Sequence, residues 1–203
     1  MTGRHIEVEK KVKLETHHLT EIESKGTFIQ ETLFEDIYYD TEECSLTVKN
    51  IWLRERENKF ELKVGIKGSN GFSDRYEEIR DEKAICRELG LTISDSLGAA
   101  LSKARIVPFA CFVTRRKRYR LEDFTVDIDV ADFGDLTYNV AEFELIVPNV
   151  NLMQDAEDKI KTILKNMQID CSATIPAKLT YYLYHRRPHH YNKLVENQVI
   201  KPI

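Results

Sequence analysis

Cysteine is scarce and scattered. Cys44, Cys86, Cys111 and Cys171 are the only four in 203 residues, and no two form a Cys-x-x-Cys pair. That spacing excludes a disulfide-stapled scaffold and a thiolate zinc site, so the four are read as reduced and structural. Long apolar runs are missing too: nowhere do the ~18 consecutive apolar residues of a membrane-spanning helix occur. The opening Met1-Thr2-Gly3-Arg4-His5-Ile6-Glu7 also lacks the apolar stretch of a secretory signal. No excess of positive charge exists, because 30 Lys and Arg meet 34 Asp and Glu for a net charge of −4, spread along the chain. A general nucleic-acid binder with a basic face is thereby excluded. Pro/Ser-rich linkers and repeats of solenoid length are absent as well. The expectation is a cytoplasmic, monomeric protein with neither a membrane nor a nucleic-acid partner, folded as one domain over residues 1–203 with its core at about 5–195.

What is abundant is charge. Hydrophobic residues make up 42% and charged residues 32%, above the usual quarter or so. Much of the charge sits in segments that alternate polar and apolar residues with period two, the pattern of a strand with one face of each kind. These are Ile6–Leu14, Asp36–Tyr39, Ile51–Arg56, Lys59–Val64, Phe112–Leu121 with Thr125–Val130, and Asn139–Val147. Helical spacing of apolar residues marks His18–Lys25, Arg75–Leu89, Ser94–Arg105, Leu152–Met167 and Pro176–His185, the last extending to Glu196. Gly65–Gly71 and Pro148–Asn151 read as turns. The mixture predicts an α+β fold.

Parity sorts the charges by sign. Glu7, Glu9, Lys11 and Lys13 share one face of their strand. Arg54 and Arg56 share a face with Trp52; Glu61 goes with Lys63, and Arg116 with Arg118 and Arg120. Asp127 pairs with Asp129, and Glu142 with Glu144. A solvated sheet face mixes neutral polar residues with alternating signs, whereas here acids sit with acids and bases with bases. Neighbouring carboxylates repel by about 4 kcal/mol at roughly 4 Å and an effective dielectric near 20, so a cation belongs among them. Carboxylate oxygens without recurring imidazole or thiolate suit Mg²⁺, with Mn²⁺ the alternative. Guanidinium and ammonium groups suit phosphate. The histidines His17, His18, His185, His189 and His190 lie at helix starts and tails, where imidazole is usually solvated.

The ordered series of blocks resembles the CYTH superfamily, the triphosphate tunnel metalloenzymes. It begins with Glu7-Val8-Glu9-Lys10-Lys11, matching the family's Glu-x-Glu-x-Lys opening. Tyr38-Tyr39-Asp40-Thr41, Trp52-Leu53-Arg54-Glu55-Arg56, Glu61-Leu62-Lys63 and Phe112 to Arg116 follow. Val126 to Gly134, Glu142-Phe143-Glu144 and Pro176-Ala177-Lys178-Leu179 complete it. The Glu-x-Glu-x-Lys pattern alone is weak, since Glu21 to Lys25 and Glu55 to Lys59 satisfy it too; the order of all the blocks carries the resemblance. It implies a closed eight-stranded antiparallel β-barrel, a triphosphate tunnel, with helices on the outside and a C-terminal helix at about 176–196. It also implies metal binding by Glu7, Glu9, Asp127, Asp129, Glu142 and Glu144. Lys11, Arg54, Arg56, Lys63, Arg116 and Lys178 match triphosphate-binding bases, and Tyr38 with Lys63 match a pair associated with hydrolysis. Trp52, Ala131 to Gly134 and the C-terminal Arg186-Arg187-Pro188 are most similar to the branch that hydrolyses thiamine triphosphate. There the residue matching Trp52 stacks on the cationic thiazolium. The implied activity is Mg²⁺-dependent hydrolysis of thiamine triphosphate. The competing readings are an inorganic or nucleoside triphosphatase, an adenylate cyclase, or a non-catalytic polyphosphate-binding module.

Overall fold

Strands long enough to cross a barrel and patterned with period two dominate the chain, and they close into a ring. The structure, a computed structural model, describes residues 5–66, 73–92 and 96–203. Among these, β1 (His5–Val12), β2 (Thr27–Asp40), β3 (Ile51–Arg56), β4 (Lys59–Gly65), β5 (Asp74–Ile79), β6 (Val107–Leu121), β7 (Phe124–Asp132) and β8 (Thr137–Val147) are all antiparallel to their neighbours. The order around the closed barrel is β1-β5-β4-β3-β2-β6-β7-β8. Closure leaves no free sheet edge. Every strand therefore has one face toward the lumen and one outward.

The outward faces carry the cores. Val8 and Val12 of β1, Val126 of β7 and Phe143 of β8 are fully buried under Ile160 and Leu164 of helix α4 (Met153–Asn166). On the opposite flank Leu53 and Leu62 pack beneath α2 (Glu82–Leu89) and α3 (Leu97–Lys103). Helix α1 (Thr16–Lys25) covers the β6 side through Ile22. Two helices, α5 (Lys178–Arg186) and α6 (Pro188–Glu196), bring Leu179, Leu183, Tyr191 and Leu194 against Ala110, Phe112, Tyr138 and Val140. Those four barrel residues have lumen-facing parity, so α5 and α6 close one end of the barrel with an apolar plug.

Local chemistry sets the connections. The β3–β4 hairpin turns on Glu57 and Asn58, whose φ values of 50° and 59° are the paired positive values of a two-residue type I′ turn. Asp81 caps α2 by accepting from the Ala84 amide at 2.8 Å, and Gly90 ends that helix in the left-handed region.

Three sequence expectations change. Arg75–Leu89 is not one helix, because Asp74–Ile79 is the strand β5 and only Glu82–Leu89 is helical. Asp74, Tyr76 and Glu78 face the lumen and Arg75 faces α4, so both faces are polar and the alternation is hidden. β2 begins nine residues before the predicted Asp36, at Thr27. Its outer face exposes Phe28, Ile29 and Leu33, and a bulge between Phe28 and Gln30 breaks the period there. Pro176–Glu196 divides at Arg187–Pro188, since Pro188 lacks the amide needed to continue α5 and instead opens α6. The predicted turn at Gly65–Gly71 falls largely outside the described residues, as does the start of Ser94–Arg105. All four cysteines are free, and no described helix is long and apolar enough to cross a membrane.

Candidate functional site

The lumen is a cavity of about 1040 Å³ whose walls are charged along most of its length. Glu7, Glu9 and Lys11 enter from β1, Tyr38 from β2, and Trp52, Arg54 and Arg56 from β3. Lys63 comes from β4, Arg116 from β6, Glu142 and Glu144 from β8, and Lys178 from the first turn of α5. Twelve of the fourteen sequence-predicted residues are thus joined around one cavity, with only Asp127 and Asp129 set behind its surface.

Asp127 and Asp129 are each 1% exposed. Arg118 donates to both oxygens of Asp127 at 2.6 and 2.7 Å, and Arg116 to both oxygens of Asp129 at 2.7 and 2.6 Å. Arg116 also reaches Asp127, and Lys178 is paired with Asp129. These planar, two-point contacts fix the guanidinium orientation. Asp36, fully buried, does the same for Arg56 at 2.7 and 2.8 Å, while Arg54 is paired with Glu61. The strand register enforces much of this, because Arg116 stands opposite Asp129, Arg118 opposite Asp127, Arg56 opposite Asp36 and Arg54 opposite Glu61.

The register fails to neutralise one sector. Glu9 faces Glu144 directly across β1 and β8, and Asp127 faces Glu142 across β7 and β8. Like charges directly opposite are destabilising. Burial, with Glu9, Asp127 and Glu78 adding to it, pushes the Glu144 carboxyl up to about 7. Burial also raises Glu7 well above the usual carboxylate range; Lys63 opposes this, while Glu9, Glu78 and Glu144 reinforce it. Glu142 behaves oppositely: burial alone would raise it, but Lys178, Lys11 and Arg116 outweigh that and hold it well below its ordinary value.

The two carboxyl populations give the test for a metal. Among the described residues no three acidic or imidazole side chains converge as a finished cage. Glu7 and Glu9 are drawn to Lys63 and Lys11. Yet the crowded carboxyls of Glu7, Glu9 and Glu144 form the under-neutralised sector, and oxygen-only donors there fit a hard divalent cation.

Lys63 and Tyr38 both keep their protons. Burial would depress the Lys63 ammonium, but Glu7 and Glu9 outweigh it and raise the group well above its ordinary value. Burial beside Asp36 pushes the Tyr38 phenol up to about 12. Tyr38 also stacks on Phe112 at 5.7 Å.

Trp52 stands where the charged lumen meets the apolar plug. Its Nε1 donates to Asn50 Oδ1 at 2.7 Å, and the Asn50 side chain fills the space that a Cβ on Gly65 would occupy. Gly65 thus permits the contact that orients the indole. Beyond α6, Val199, Ile200 and Ile203 line this same cavity.

Sequence reasoning did not single out Asp36, Asp74, Tyr76, Glu78 or Arg80. Asp36 shares parity with Tyr38 and was detectable by the rule applied elsewhere. The β5 residues were masked by the helical reading, and residues 198–203 carry no periodic signal.

A closed antiparallel barrel with braced arginines on one wall and crowded carboxylates on the other is a tunnel suited to a polyanion accompanied by a cation. The domain model that matches residues 5–175 is the CYTH domain, and the chain belongs to the CYTH family. Two relatives named thiamine-triphosphatase are similar at 35% identity. The one from Homo sapiens aligns over 188 residues, and the one from Macaca fascicularis over 191, each covering 84% of this chain and 80% of the relative. Among solved structures, a protein from Pyrococcus horikoshii OT3 has a TM-score of 0.60 at 18% identity, covering 89% of this chain and 99% of its own. A Hippeastrum protein with a dominant triphosphatase activity has a TM-score of 0.60 at 17% identity, covering 89% and 96%. These two show the shared tunnel fold.

Proposed function

We propose that the chain hydrolyses thiamine triphosphate to thiamine diphosphate and phosphate inside the barrel, with Mg²⁺ as its metal. The observation that carries this reading is the division of one lumen into a basic wall, an under-neutralised acidic sector and a tryptophan at the apolar end. The names of the 35% identical human and macaque relatives support the choice of substrate.

Arg54, Arg56, Arg116, Lys11 and Lys178 bind the triphosphate, their N–H groups not taken by the bracing carboxylates turned to phosphate oxygens. Glu7, Glu9 and Glu144 stand to hold the metal, with Glu142 and Asp127 next around the ring. Asp129, which matches a metal ligand in the resemblance, braces Arg116 and Lys178. A divalent cation held there would neutralise phosphate charge and orient the triphosphate. Lys63 donates to the terminal phosphoryl group as an ammonium, and Tyr38 as a neutral phenol. Water attacks the terminal phosphorus, the new P–O bond forms, and the bridging P–O bond to the diphosphate breaks. Little covalent help is needed, because phosphoryl transfer depends mainly on positioning and charge neutralisation. Trp52 receives the cationic thiazolium by stacking and cation–π attraction. Residues 5–175 supply the barrel, and α5 and α6 complete the same functional unit by closing its apolar end.

The test is phosphate release from thiamine triphosphate, inorganic triphosphate and ATP, each with and without Mg²⁺. Metal-dependent release fastest from thiamine triphosphate is expected. Release from ATP at an equal or greater rate overturns the substrate assignment, and no release from any of them overturns the hydrolase reading.

A further inference from the structure

Phe34 is out of place as a hydrophobic residue. It is 7% exposed, yet among the described residues it belongs to none of the three apolar clusters that hold the barrel and its helices together. On β2 it shares lumen parity with Asp36 and Tyr38, and its register partner on β6 is Thr114. Its close companions are two cations. The Arg56 guanidinium carbon lies 3.6 Å from the ring centroid and that of Arg116 lies 5.5 Å away.

These arginines come from different strands, β3 and β6, with β2 between them in the ring. Their edges are already gripped, Arg56 at two points by Asp36 and Arg116 by Asp129, Asp127 and Glu142 together. A two-point contact on one edge, as at Arg56, fixes where a guanidinium points but leaves its plane free to rock about that edge. A ring against the face removes that freedom, and its quadrupole attracts the charge rather than merely filling space.

We propose that Phe34 is a positioning residue: an aromatic platform that fixes the plane of Arg56 and supports Arg116 beside it, so that their remaining N–H groups meet a triphosphate. This rests on the functional reading above and adds to it a residue with no hydrogen-bonding group of its own. Phe34 has no contact with the ligand in this scheme, and its effect passes entirely through the two arginines.

The experiment compares wild type with Phe34→Met, Phe34→Tyr and a chain carrying pentafluorophenylalanine at position 34. A methylene-bridged triphosphate analogue with Mg²⁺ is titrated by calorimetry, and the steady-state constants are measured with inorganic triphosphate. Methionine fills space without a π face, tyrosine keeps the face, and the fluorinated ring keeps the shape but inverts the quadrupole. A cation–π contact with a desolvated guanidinium predicts binding weakened about tenfold in Phe34→Met and in the fluorinated chain. KM rises more than kcat falls in both, and Phe34→Tyr restores wild-type binding. If Phe34→Met fails to fold, the fluorinated chain decides alone. Wild-type binding in the fluorinated chain overturns this inference while leaving the function intact. A wild-type chain that binds no triphosphate overturns the functional reading and this inference with it.

Discussion

At the scale of single residues, the arginines and the indole of the lumen are each held by partners of their own. Asp36, Asp127 and Asp129 hold arginines, Phe34 lies against two of them, and Asn50 over Gly65 holds Trp52. Trp52 gives the sharpest residue-level prediction. Removing the indole in Trp52→Ala takes away the stacking surface at the apolar end but leaves the basic wall. KM for thiamine triphosphate rises at least about tenfold, in line with 1–2 kcal/mol of stacking and cation–π attraction, while KM for inorganic triphosphate changes little. Equal losses for the two substrates would contradict the role. His190 gives a prediction about pH. Its Nε2 lies 2.7 Å from Thr47 Oγ1, whose hydroxyl donates to Asp40 at 2.7 Å, and the Phe109 ring lies 4.7 Å away. Burial lowers the His190 pKa below its ordinary 6.5, with Arg187 and Lys193 adding to the effect against Asp40. Because the folded chain resists a proton that the unfolded chain accepts, this contribution is present above pH 6.5 and is lost as pH falls through the depressed value. Urea unfolding at pH 7.5 and 5.5 (about one unit either side of 6.5) checks this. The stability advantage of wild type over His190→Gln is expected to shrink at the lower pH.

At the scale of elements, α4 is tied to the barrel by charge as well as by its apolar stripe. Glu157, fully buried, accepts from Ser73 at 2.9 Å and is paired with Arg75 of β5. Glu157→Ala leaves the Arg75 guanidinium buried without this partner and is expected to cost about 3–5 kcal/mol, read as a lower urea midpoint. A loss under 1 kcal/mol would mean that the pair is not structural. Arg75 also explains why β5 was misread. A strand that is charged inside for function and charged outside for docking has no apolar face, so periodicity cannot reveal it. The strands with one apolar face, β1, β3, β4, β7 and β8, were legible, and their parity placed Glu7, Glu9, Trp52, Arg54, Arg56, Lys63, Glu142 and Glu144 correctly in one lumen. Parity reports which face a side chain takes but not how deep it sits. Asp127 and Asp129 therefore looked like Glu142 and Glu144, although they lie behind the arginines. The break between α5 and α6 was signalled by Pro188 but read through as one helix, and the cavity-lining tail beyond Glu196 was not legible, because its backbone is irregular.

At the scale of the whole molecule, the barrel solves a charge problem posed by its own sequence. Inward bases and acids are paired by register around most of the ring, and the exception at Glu9 and Glu144 marks the sector whose charge a cation would balance. On the proposed reading each would favour the other's binding: a metal would relieve the carboxylates, and the triphosphate would join them to the arginines. The most direct measurement is calorimetric titration of a methylene-bridged triphosphate analogue, with and without Mg²⁺, into wild type, Glu9→Gln and Arg116→Ala. The account predicts one site per chain, tight only when Mg²⁺ is present, with that metal-dependent gain lost in Glu9→Gln and binding weakened under all conditions in Arg116→Ala. Binding of equal strength without the metal, or indifference to both substitutions, would show that the acids and bases of the lumen do not form a single site.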